Sequence, residues 1–249
     1  MHKYHAMVIK TKKIFVHKIS YFVVDQAPTL IIYAFVSLVM VTYYANYMVI
    51  VGYMTTTVNI IYGSMGAAIG SLVAENNRRH TMDVFWEVTS SRIWIASLAC
   101  FGIYLFMDTF IELWIGRQYV LSHTTLLLIV ASAFVRMSRN IVDSFKEAYQ
   151  LFDDVWAPVT EVTINLGGSI LFGYLWGLNG ILLGSNLSLL LMVLIWKPYY
   201  LMRDGMKESC LRYFSFYGLH IFIIILCGYV TVQSRLSSNS DDGIYQLLW

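Results

Sequence analysis

Residues 155–202 read VWAPVTEVTINLGGSILFGYLWGLNGILLGSNLSLLLMVLIWKPYYLM. Two apolar runs, Val155 to Leu178 and Gly180 to Met202, meet at Asn179. Each has the roughly 20 apolar residues that one bilayer crossing requires. Five more runs of this kind lie elsewhere in the chain: Ile19 to Val41, Tyr43 to Val73, Ile93 to Phe110, Val120 to Val142, and Leu211 to Gln233. The expected fold is all-α, a multi-pass transmembrane bundle of about seven spans. The whole chain is 58% hydrophobic and 13% charged, with a mean hydropathy of +0.61, far from the average of a soluble domain.

Charge gives the topology. Threaded in strict alternation, the spans leave fifteen of the seventeen Lys and Arg residues on one side. These are Lys3, Lys10, Lys12, Lys13 and Lys18, then Arg78, Arg79 and Arg92, then Arg136, Arg139 and Lys146, then Lys197, Arg203, Lys207 and Arg212. Only Arg117 and Arg235 fall outside. Positive loops stay in the cytoplasm, which puts the amino terminus there. Residues 1–18 are then a basic cytoplasmic segment, residues 19–233 the helical bundle, and residues 234–249 an outer tail. Within that tail Ile244, Tyr245, Leu248 and Trp249 resemble the cut-off start of a further span. Outer connections are expected to be short, at Thr42 and Asn179, and inner ones longer, at Glu75 to Glu87 and Lys146 to Asp154. Trp and Tyr gather toward span ends, where amphipathic rings favour the headgroups.

Several function classes are disfavoured. The basic residues are spread over four segments, which does not fit a nucleic-acid stripe, and the net charge is only +2. Cys100, Cys210 and Cys227 have neither CxxC nor His-associated spacing, so neither a disulfide nor a metal is expected. No GxxxxGK[ST] loop is present to bind ATP. No Ser, His and Asp constellation marks an enzyme. Three GxxxG patterns, Gly66 to Gly70, Gly173 to Gly177 and Gly180 to Gly184, read as close helix packing.

Polar residues at membrane depth carry the functional reading. A charge at a helix centre costs roughly 2.5–3.5 kcal/mol on insertion scales, so each needs a partner or a hydrated cavity. Arg136, Arg139 and Asp143 are spaced i, i+3 and i+7 and share one helix face. Glu161 and Asn165 lie one turn apart on the next span. Arg139 and Glu161 are expected at similar depth, roughly 5–10 Å inside the boundary at 1.5 Å per residue. They can pair directly, or serve a substrate or an ion. Asp25 stands beside Gln26 and the helix-disturbing Pro28. It reads either as a coupling-cation or proton site or as the partner of Lys18 or of an Arg on another span. Asn46, Asn59 and Asn186 read as interhelical hydrogen-bonding groups.

A longer pattern of residues resembles a known family. It consists of Val16-His17-Lys18-Ile19, Ile31 through Val36, Val41 through Tyr47, Leu113-Trp114-Ile115-Gly116 with Tyr119, and Arg139 through Lys146-Glu147-Ala148 to Leu151-Phe152-Asp153. Pro158, Glu161, Ile164-Asn165-Leu166, Ser169, Gly177 to Gly184 and Trp196-Lys197-Pro198 complete it. From about residue 14 to 215 the chain resembles the carboxyl-terminal half of bacterial polysaccharide flippases. These belong to the multidrug, oligosaccharidyl-lipid and polysaccharide exporter superfamily. At Asp25-Gln26-Ala27-Pro28-Thr29 it departs from the Thr-Asp or Ser-Asp pair common in relatives.

The resemblance implies one lobe of a two-lobe alternating-access transporter in the bacterial inner membrane. Its substrate would be a polyprenyl-pyrophosphate-linked oligosaccharide, and its partners the lipid bilayer and an amino-terminal lobe or a second copy. No cofactor is implied. Arg136 and Arg139 are expected to bind the pyrophosphate. Asp25, Asp143, Glu161 and Asn165 are expected to couple ions or pair helices.

Overall fold

A computed structural model describes residues 2–246, with side chains for residues 8 and 11–228. The side chains of Lys3, Lys10, Arg235, Ile244, Tyr245, Leu248 and Trp249 lie outside the described residues. All regular structure among the described residues is helical. Two compact units divide the chain, residues 1–208 and 209–249. The second contains one helix, α9 (Cys210–Gln246), continuous through the residues read as a polar tail.

The first unit holds α1 (His2–Phe35), α2 (Leu38–Gly63), α3 (Met65–Ala74), α4 (Arg78–Trp114), α5 (His123–Ser138), α6 (Asn140–Ala148), α7 (Trp156–Ser188) and α8 (Lys197–Tyr200). Counting α9, five helical stretches are long and apolar enough to cross a membrane: 38–63, 78–114, 123–148, 156–206 and 210–228. Their outward faces carry large apolar groups, among them Leu98, Phe106, Leu113, Leu171 and Tyr174. In water that surface would be costly, whereas hydrocarbon accepts it provided the backbone is internally bonded. The protein is membrane-embedded.

Local chemistry sets the helix ends, and several differ from the sequence reading. The first break falls at Val36–Ser37, not at Thr42, because the Ser37 hydroxyl accepts the Met40 N–H and caps α2. Thr42 lies inside α2, its hydroxyl bonded to the Leu38 carbonyl. Tyr43 to Val73 is divided at Ser64 into α2 and α3. The proposed inner loop from Glu75 to Glu87 shortens to three residues, because the Asn77 side chain accepts from His80 N–H and starts α4. At about 1.5 Å per residue, the 37 residues of α4 extend some 55 Å, well beyond the roughly 30 Å hydrocarbon core. Pro28 does not break α1, which runs through it.

The 156–206 stretch folds back on itself. Trp176 and Gly177 leave helical geometry, Gly177 with φ +55° and ψ −132°, a region open to glycine. Beyond them the two legs of α7 pack antiparallel along a seam of small residues. The Ser169 hydroxyl donates to the Ile181 carbonyl at 3.0 Å and meets Ser185 Oγ at 3.2 Å, while Asn165 donates to Ser188 Oγ at 3.2 Å. A Cβ on Gly184 would sit 2.2 Å from Ser169 N, and one on Gly180 would sit 1.8 Å from the Phe172 carbonyl oxygen. Gly66 and Gly70 face open space, so their GxxxG spacing serves no close contact among the described residues. Past Ser188 the second leg widens into π-helix at Leu189–Trp196 and Leu201–Met206, flanking α8. The Lys197 N–H bonds five residues back, to Met192.

Gly184→Val forces two backbones apart and is expected to destabilise the unit by several kcal/mol, beyond the ordinary overpacking range of about 1–3 kcal/mol. Gly70→Val, with nothing nearby, should leave thermal unfolding in detergent within about 0.5 kcal/mol of the parent. Equal losses at both positions would refute the tight seam.

Candidate functional site

The site is built on one stripe of α1. Lys13, His17, Tyr21 and Asp25 are spaced four residues apart, so they share a face. Together they meet three segments of the bundle. Lys13 pairs with Asp153 at 2.7 Å, and His17 Nε2 faces Asp154 Oδ1 at 3.6 Å. The Tyr21 ring lies under the Arg139 guanidinium at 4.7 Å, and Asp25 accepts from Arg136 Nη1. Opposite lies α2, whose Tyr44, Thr55, Thr56 and Asn59 form a neutral polar wall. Between them α5, the Arg139 junction, α6 and Lys197 close a cavity of about 730 Å³.

Five cations line this cavity, Lys18, Arg136, Arg139, Lys146 and Lys197, against three carboxylates, Asp25, Asp143 and Glu147. The imbalance favours anions. Each cation is already engaged. Arg139 pairs with Asp143 at 3.3 Å, and Lys197 lies 3.7 Å from both Asp143 and Glu161. Lys18 meets Glu147 at 3.6 Å, an exposed pair that contributes little. Arg136 holds Asp25, yet its Nε is buried without a partner among the described residues.

Of the residues singled out from the sequence, Asp25, Arg136, Arg139 and Asp143 converge on the cavity wall. Glu161 does not pair with Arg139: Lys197, at the start of α8, takes it, and Arg139 turns to Asp143 one turn along the chain. Asn165 lies in the α7 seam, away from the cavity lining, with Nδ2 on Ser188 and Oδ1 unpartnered. Asn186 donates to the Leu128 carbonyl of α5, an interhelical bond of the kind its sequence suggested.

Two further clusters were not anticipated. Arg92, counted among the inner-loop charges, is fully buried within α4. It donates to the Met137 carbonyl and to Asn59 Oδ1, both at 2.5 Å, and lies 4.8 Å from the Tyr62 ring. Met137 is in the last turn of α5, where carbonyls lack helical partners and the helix end is negative. Arg92 therefore caps α5 just before the Arg139 junction. Asn140 also donates to Asn59, tying the start of α6 to the same point.

The second cluster is Lys146 and Asp154, buried together at 3.0 Å. Trp196 Nε1 also donates to Asp154, at 3.1 Å, and the Tyr200 ring lies under Lys146 at 4.9 Å. Burial holds the neighbouring His17 imidazole below its ordinary value of 6.5, outweighing the pull of Asp154, and Lys146 and Lys197 add to the lowering. Its place one turn before Tyr21 on the Asp25 stripe was the available sequence signal. Lys146 and Asp154 sat in a segment whose charges read as topology alone.

Comparisons with protein-family models, with curated proteins and with solved structures found no match to this chain. The site is therefore read from its own geometry: a cation-lined cavity inside a membrane protein.

Lys146→Met strands a buried carboxylate and is expected to cost about 3–5 kcal/mol. The double change Lys146→Met with Asp154→Leu should recover most of that loss, since an apolar pair of similar volume avoids desolvating two charges. A double-mutant cycle by thermal denaturation checks this, and additive losses would contradict it.

Proposed function

We propose that this chain is a lobe of a transporter that carries a polyprenyl-pyrophosphate-linked oligosaccharide across the bacterial inner membrane, with about seven spans and its amino terminus in the cytoplasm. The observation that carries the reading is the cavity with five cations against three carboxylates. A pyrophosphate cannot enter hydrocarbon unaided, so a transporter for it must offer a polar, positively charged chamber while the lipid tail stays in the bilayer. Arg136 and Arg139 supply two guanidinium groups on the cavity wall, the fork geometry suited to phosphate oxygens. Across the cavity, the hydroxyls and amides of Thr55, Thr56 and Asn59 match the hydrogen-bonding of sugars. The flippase-like residue pattern supports the same substrate.

In this mechanism the pyrophosphate competes with Asp25 for Arg136. Displacing Asp25 removes the Arg136 tie between α1 and α5 and leaves a carboxylate free to take a cation or proton, which is how an ion gradient would be coupled to the cycle. Glu161, held by Lys197, is the second candidate for that coupling.

The test is restoration of surface glycan in a flippase-deficient bacterium, by this chain alone and by this chain joined to a matching amino-terminal lobe. Restoration in either arm is expected, and the arm that succeeds tells whether a second lobe is needed. Arg136→Gln with Arg139→Gln should abolish it at unchanged membrane abundance, because each lost charge-assisted contact is worth about 1.5–3 kcal/mol. No restoration in either arm, or full activity of the double variant, would overturn the proposal.

A further inference from the structure

Asp154 is one hydrogen bond short. Its Oδ2 accepts from Lys146 and from Trp196, but Oδ1 is buried with no hydrogen-bond partner among the described residues. The atom facing it is His17 Nε2, also buried and also without a hydrogen-bond partner, 3.6 Å away. A neutral imidazole protonated on Nδ1 presents the Nε2 lone pair to this carboxylate oxygen. In that tautomer two acceptors face each other across a gap that a single proton would bridge.

We infer that His17 and Asp154 form a proton-binding site, in which protonation of His17 Nε2 completes the Asp154 carboxylate and clamps α1 onto the 149–155 connection. The surrounding charges are already assigned. On α1, Lys13 is tied to Asp153 and Lys18 to Glu147. From α6, Lys146 engages Asp154 Oδ2, and from α8 Lys197 is held between Asp143 and Glu161. No described group other than His17 is placed to satisfy Oδ1. Burial and the two lysines hold the imidazole below 6.5 in the present arrangement, so the site is empty at neutral pH. A conformer with the gap closed gains a charge-assisted hydrogen bond and binds the proton more tightly, and acidification therefore shifts the population toward it. His17, Lys146 and Phe152 also line the cavity, so the clamp acts on its rim. Proton binding here goes beyond the transport reading and stands without it.

The experiment uses the full chain in lipid nanodiscs, with histidine ring nitrogens followed by NMR and backbone protection of residues 149–155 followed by hydrogen exchange, both across pH 5 to 8. The His17 signal, identified by its loss in His17→Gln, should titrate below 6.5. Protection of 149–155 should rise about tenfold over the same interval, the order of one hydrogen bond to a charged group. His17→Gln should abolish the rise. Asp154→Asn, which removes the carboxylate that favours His17⁺, should move the midpoint lower and also abolish the rise. A rise that persists in His17→Gln, or titration of His17 with no change in protection, would overturn the inference. Neither readout involves transport, so failure of the flippase reading would leave this result standing.

Discussion

The first unit depends on how α1 is held. A helix with Lys13, His17, Tyr21 and Asp25 on one face can pack against the bundle on that face only where polar partners meet it. It must find partners, and it finds them at Asp153, Asp154, Arg139 and Arg136. Those partners span the end of α5, the Arg139 junction and the connection after α6. The polar stripe of one helix therefore fixes the position of three other segments, and the cavity is the space left where α1 and α2 diverge beside them. The charges that would make this helix a poor membrane span in isolation are the same groups that give the chamber its chemistry.

A second constraint holds the α7 hairpin. The legs of α7 approach so closely at Gly168, Gly180 and Gly184 that backbone meets backbone, with serines supplying hydrogen bonds along the seam. In lipid there is no hydrophobic drive to bring two helices together, so close van der Waals contact and interhelical hydrogen bonds must do it. The hairpin carries Glu161 on one leg and leads through π-helix to Lys197 on the other, and their 3.7 Å contact helps hold Lys197 where it lines the cavity. A π turn changes the angular register of every residue beyond it. That is why counting Lys197 in steps of 3.6 residues from α7 would not have placed it correctly.

Much of the fold was legible because its signals are compositional. Apolar length holds regardless of packing, and some basic residues assigned to one side meet groups assigned to the same side: Arg78 with Lys207 and Glu208, Lys18 with Glu147. The helix starts after Ser37 and Asn77 were misplaced because hydropathy does not register a cap, which depends on one side-chain oxygen reaching one backbone N–H. For the site, Asp25, Arg136, Arg139 and Asp143 stood out because charge is rare at that depth. Pairing was harder. Depth alone matched Arg139 to Glu161, whereas rotation about the helix axis decides contact, and rotation cannot be read from helices that are apolar nearly all round.

Arg92 shows why the missed residues matter to the site. A guanidinium fully withdrawn from solvent, with no carboxylate in contact, is a costly group to retain. Its compensation is the negative end of α5, reached through the Met137 carbonyl, and the Asn59 oxygen that Asn140 shares. These bonds join α2, α4, α5 and α6 at one point beside the Arg139 junction. The angle at which α5 gives way to α6 sets where Arg136, Arg139 and Asp143 point. The cations exposed to the cavity are thus oriented by a cation buried behind it, tied to the cavity wall through Asn59.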